Sequence, residues 1–126
     1  MSKIFEAWTA VHEVVVAIGI CDGRISDDPD AFTAFPHIHK EATLINDWAS
    51  GTTATELAGT FHVWSEYGGN KECLDIFEQI RDALDGKTFA AGNGQVIAYV
   101  QGGPIMRAPD GVRFHGIVRV ILNHQE

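Results

Sequence analysis

The residues with the sharpest chemical spacing are His37, His39 and Glu41, in the pattern His-x-His-x-Glu. On a β-strand alternate side chains project from one face, so these three would stand side by side. Two imidazoles and a carboxylate form a ligand set for zinc or iron. One reading is therefore a small metal- or ligand-binding α+β enzyme using His37, His39 and Glu41. The other is the polar, solvated face of an edge strand. His62 and His115 fall in segments of strand character and would form an acid–base pair if their strands were neighbours; the other reading is hydrogen-bonded structural residues or a solvated face.

Other chemistry is missing from the chain. No Ser, Cys or Lys sits in a nucleophile frame. Gly92-Asn93-Gly94 lacks the following helix and the Lys-Ser/Thr of a phosphate loop, and Gly102-Gly103-Pro104 reads as a bulge or turn. Cys21 and Cys73 have no CxxC spacing, which fits a reducing compartment, and Cys73 lies on an apolar helix face, where a buried, inert thiol is expected. Trp48, beside a run of small residues, is a core plug or an interface anchor. Met106, between Pro104 and Pro109, has the same two readings. With no catalytic residue and no cofactor site emerging, the balance favours an interaction or assembly role.

The elements that must position these residues follow from periodicity. Ile4, Trp8, Val11, Val15 and Ile18 form one stripe of an amphipathic helix ending at Gly19, with Ser2 as N-cap and Glu6 in the first turn. Residues 22–36 are rich in Asp and Pro and read as an irregular loop, with a short strand over 23–26. Residues 35–40 read as a strand, which 44–48 continues or pairs with, and 49–55 are small and polar, a loop or hairpin tip. Residues 56–67 read as a strand ending at Gly68-Gly69. Asn70 is then expected to cap a helix to about residue 85, stopped by Gly86. Its apolar face is Cys73, Ile76, Phe77, Ile80 and Leu84, and the opposite face is charged. Residues 87–91 and 95–100 flank Gly92-Asn93-Gly94, and 104–108 and 112–122 flank Pro109-Asp110-Gly111, giving two hairpins. In the last strand both faces carry apolar residues, which predicts a central strand or one covered on both sides. The order predicts a single α+β domain over residues 1–126, with an antiparallel or mixed sheet packed against an N-terminal and a central helix.

Composition bounds the partners. The chain has 126 residues, 45% of them hydrophobic, enough for one core. It carries 17 acidic and 9 basic side chains, a formal charge of −8. An acidic chain lacks the basic footprint that phosphate requires and is repelled by an anionic membrane surface. Asp22, Asp27, Asp28 and Asp30 concentrate this excess in the first half. The apolar run at residues 14–21 is too short to span a membrane and lacks the flanks of a signal peptide.

Two stretches carry a family resemblance. The first is Glu41-Ala42-Thr43-Leu44-Ile45-Asn46-Asp47-Trp48, followed by Phe61-His62-Val63-Trp64-Ser65-Glu66-Tyr67-Gly68-Gly69-Asn70 and the helix after it. The second is Ala108-Pro109-Asp110-Gly111-Val112-Arg113-Phe114-His115-Gly116-Ile117-Val118-Arg119-Val120. With the N-terminal helix and the Asp22-Gly23 strand, they resemble the tail-completion, or tail-terminator, proteins of long-tailed phages and gene transfer agents. The likeness runs from about residue 4 to 122, and residues 20–36 are longer and more acidic than the family pattern.

The resemblance implies a small α+β protein that forms a homo-oligomeric ring, typically a hexamer, on the last ring of the tail tube protein. It would stop tube growth and present a surface to the head-completion (stopper) proteins, without catalysis, cofactor or membrane. DNA would pass through the channel without specific binding. The protein would reside at the head–tail junction of the particle, after assembly in the host cytoplasm. The loops expected at 46–58 and 101–111, with Trp48, Ile105 and Met106, are the candidate contacts to neighbouring subunits or the tube. Asp22, Asp27, Asp28 and Asp30 would form an acidic lumen or rim that repels DNA phosphate. A generic oligomeric adaptor of similar size is the remaining reading.

Overall fold

A computed structural model describes residues 3–47, 55–92 and 94–125. The elements are α1 (Lys3–Ile18), β1 (Ile25–Ser26), β2 (His37–Asp47), β3 (Thr55–Ser65), α2 (Lys71–Leu84), β4 (Lys87–Ala91), β5 (Gly94–Arg107) and β6 (Phe114–Gln125). A short 3-10 turn over Ile20–Gly23 follows α1. The strands form one six-stranded sheet in the order β1-β2-β3-β6-β5-β4. β1 runs parallel to β2 and every other pair is antiparallel, so the sheet is mixed.

Both helices lie on one face. Val11 and Val15 of α1 and Cys73, Ile76, Ile80 and Leu84 of α2 are buried, as the 3.6-residue period requires. They meet the strand residues of matching parity: Ile38, Leu57, Phe61, Val63, Val96, Ala98, Phe114, Val118, Val120 and Leu122. Gly19 leaves α1 in the left-handed region at φ 85°, a conformation open to glycine at little cost. Asn70 holds the N-cap position of α2 but keeps near-helical φ and ψ and makes no side-chain capping bond. The neighbouring Ser65 hydroxyl instead donates to the Glu72 carboxylate at 2.6 Å.

Two sequence expectations change. Residues 94–107 form one long strand, so β4, β5 and β6 are a meander rather than two separate hairpins. The register shift between Gly102 and Ile105 makes Gly102-Gly103-Pro104 a bulge inside β5, where a residue lacking an N–H does not break the ladder. The expected contact loop at 101–111 is therefore strand as far as Arg107. The last strand is central, as its apolar residues on both faces predict: β6 lies between β3 and β5, and the helices cover one of its faces. Its other face presents His115, Ile117, Ile121 and Asn123, half-buried, and exposed Arg119.

The turn between β5 and β6 is knit by Asp110. Its Oδ1 accepts the amides of Val112 and Arg113, and its Oδ2 accepts the Arg113 guanidinium at 3.1 Å. These bonds, the two amides first, hold its carboxyl below the usual carboxylate range.

Both cysteines are buried. Burial pushes the Cys21 thiol up to about 12 and the Cys73 thiol up to about 11, so neither supplies thiolate near neutral pH. An aromatic disulfide reagent at pH 8 is expected to leave both thiols unmodified in the folded protein and to label both in denaturant. Rapid labelling of either in the native state would contradict this burial.

Candidate functional site

The uncovered sheet face is organised in cross-strand rows set by register. One row is His37, Trp64, His115 and Met106, across β2, β3, β6 and β5. The next is His39, His62 and Ile117, and the third is Glu41, Thr60, Arg119 and Gln101. Directly opposed residues on neighbouring strands have Cβ atoms about 5 Å apart, so the first three positions of these rows form one patch. An open groove of about 670 Å³ lies over it, bounded by Phe32 and Phe35 on one side and by Pro109, Asp110 and Arg113 on the other.

Within the groove the histidines are linked. His62 Nδ1 lies 2.8 Å from His115 Nε2, and His62 Nε2 lies 2.8 Å from Glu41 Oε1. The His39 ring stacks on that of His62 at 5.5 Å, and His115 stacks on Trp64 at 4.1 Å with only 6° between the planes. Partial burial, followed by the neighbouring His62, lowers the His115 pKa. The hydrogen bond from His62 is the first cause of the lowered Glu41 pKa. The sequence pairing of His62 with His115 thus meets its condition, because β3 and β6 are neighbours.

The triplet His37, His39 and Glu41 does not act as a set. All three share the strand face, but His37 is buried, its Nδ1 lies 2.9 Å from the Ala34 carbonyl oxygen, and its ring packs against Phe35 at 4.7 Å. The segment before β2 folds back over His37 and removes it from the cluster. The structure assembles His39, Glu41 and His62 instead, with ligand atoms within 4.8 Å of one another. Sequence spacing missed His62 as their partner because the contact crosses strands.

The contact candidates separate likewise. Ile105 pairs with Gly116 and Met106 with His115. Ile105 therefore faces α2 and lines a small apolar groove of about 110 Å³ with Leu74 and Phe77. Met106, 42% exposed, lies on the uncovered face. Trp48 lies outside the described residues. Two of the four aspartates have local cations: Asp22 meets Arg24 at 3.4 Å, and Asp27 meets Lys40 at 3.2 Å. Asp28 and Asp30 are exposed, and the Asp28 carboxylate accepts the Asp30 amide.

No curated protein matches the sequence. Among solved structures the fold is similar to a chain of the virion of a native gene transfer agent particle. The TM-score is 0.76 at 12% identity, covering 94% of this chain and 93% of that one. The model of the family described as tail completion protein gp17 matches residues 3–123. That span takes in both helices and every strand except the last two residues of β6, and the chain belongs to this family of tail completion proteins.

Proposed function

We propose that this protein closes into a ring, hexameric in its assembled state, that caps the tail tube and offers its other axial face to the head-completion proteins. The observation that carries this reading is the extent of the family match: residues 3–123 account for nearly the entire described fold. On this reading the protein is structural and not an enzyme. It resides at the head–tail junction after assembly in the host cytoplasm, DNA passes through without specific binding, and no membrane is involved.

A cyclic ring needs two different patches per subunit that complement each other. Two are available on opposite sides of the sheet. One is the uncovered face with Met106 and Tyr99. The other is the groove of Leu74, Phe77 and Ile105. Trp48 is proposed as a further contact to the tube. Asp28 and Asp30, with Asp22 and Asp27 beside them, are proposed to face the lumen or its rim, where negative charge keeps DNA from adhering within about 8 Å at physiological salt.

Native mass spectrometry and negative-stain microscopy, with and without assembled tail tube, test the proposal. A six-membered ring, or a monomer that closes only on tube ends, is the expected result. A stable dimer that ignores the tube would reject it. Leu74→Asp and Met106→Asp place a charge on exposed positions and should abolish the ring while leaving the far-ultraviolet circular dichroism spectrum unchanged.

A further inference from the structure

The cluster on the uncovered face holds a feature that capping a tube does not require. His39 and His62 are directly opposed on β2 and β3, and Glu41 lies two residues further along the same face. Each offers one ligand atom, and all three atoms lie within 4.8 Å of one another. A tetrahedral ion with ligands at about 2.05 Å needs its donors about 3.4 Å apart. The Glu41–His62 pair, at 2.8 Å, is slightly closer than that, so metal binding requires this pair to open slightly and the His39 ring to adjust. We propose that His39, Glu41 and His62 bind a divalent transition-metal ion of the zinc class.

His115 is the positioning residue. A metal-bound imidazole needs its second nitrogen engaged, so that the ring is held in one tautomer. His62 has this arrangement, with Nδ1 on His115 and Nε2 toward Glu41. In the metal-free state His62 Nε2–H donates to the Glu41 carboxylate and His115 Nε2–H donates to His62 Nδ1. When the metal takes Nε2, the His62 proton resides on Nδ1 and donates to His115 Nε2, while His115 carries its own proton on Nδ1. The flat stack on Trp64 holds the His115 ring in place. Three protein ligands leave a fourth position open toward the groove for water or for a donor from a docked chain.

Calorimetric titration of the purified protein with zinc, repeated with cobalt and read by its visible absorption, tests the site. One ion per chain with the absorption of a four-coordinate centre is expected. His39→Ala and Glu41→Gln, both at solvent-accessible positions, should weaken binding by at least about tenfold, and His115→Phe by about 10–100-fold. His12→Gln, on the helix side of the sheet, should leave it unchanged. Circular dichroism checks that each variant is folded. The absence of saturable binding, or equal affinity in folded His39→Ala and the unaltered protein, would overturn the proposal. Neither result bears on ring formation, which is read separately.

Discussion

Replacing Phe61 by Ala is expected to cost about 3–5 kcal/mol of folding stability. Phe61 is fully buried on β3, where it pairs with Lys40 of β2 and Val118 of β6. The Trp8 ring of α1 rests against it at 5.8 Å between centroids, tilted by 57°. Trp8 can sit there because residue 59 is glycine: a Cβ at Gly59 would lie 2.5 Å from the indole and 3.2 Å from the Glu41 carbonyl oxygen. Removing the Phe61 ring therefore opens a cavity under both α1 and the centre of the sheet. The Trp8 ring also has the Lys40 amine 4.9 Å from its centroid, a contact that a shift of the indole into the space would disturb. Domains of this size are stable by about 5–15 kcal/mol in total, so the loss is a large fraction. The unfolding midpoint should fall by roughly 10–20 °C, measured by thermal and urea unfolding, with Phe61→Leu costing much less. A loss below about 1 kcal/mol for Phe61→Ala would show that this cluster is not the mechanical centre of the fold.

The parts of this architecture legible in sequence are those set by local period. α2 matches its apolar spacing and stops at Gly86, which has φ 71°, and the alternation in β6 matches its two faces. What escaped depends on pairing between distant segments. β6 inserts between β3 and β5, and no local pattern states that. Gly102-Gly103-Pro104 reads in sequence as a bulge or turn, and only the pairing with β6 decides for the bulge and lets β5 continue. The same bulge decides that Ile105 faces the helices while Met106 faces the groove, a parity that depends on the register with β6. The histidine cluster follows the same logic. His39 and Glu41 were legible from strand period, His62 joined them only through cross-strand register, and His37 was lost to a loop whose course no spacing rule anticipates.

The acidic segment was legible as charge but not as structure, and Asp27 gives the second large expected effect. Lys40 is only 6% exposed and lies on the helix side of the sheet, between Trp8 and Asp27. Its aliphatic stem packs in the core margin and its amine reaches Asp27 Oδ1 at 3.2 Å. Asp27→Ala would leave a nearly buried ammonium without that carboxylate. Breaking a fully buried pair costs about 3–5 kcal/mol. The Asp27 side chain is 72% exposed, so water partly screens the pair and a loss of about 2 kcal/mol is expected. Adding Lys40→Met should recover most of it, because a buried charge is replaced by an apolar chain of similar length. Urea unfolding of the four members of this cycle gives the coupling directly.

The same pocket sets an acid limb. His12 lies beside Lys40 and Asp27. Burial first, then the Lys40 charge, lowers its pKa below 6.5, while Asp27 and Glu13 pull it upward. The unfolded chain thus binds the His12 proton more readily than the folded one, so stability falls as pH drops through 6.5 toward the folded value. Asp27→Ala removes one of the two anions opposing that shift. Its stability loss should therefore grow as pH falls from 7.5 to 5.5, and His12→Gln should flatten the added slope. A deficit in Asp27→Ala that is absent at neutral pH would mean that Lys40 finds another anion and that Asp27 is only a surface charge, and a deficit constant across this range would mean that Asp27 does not act on His12.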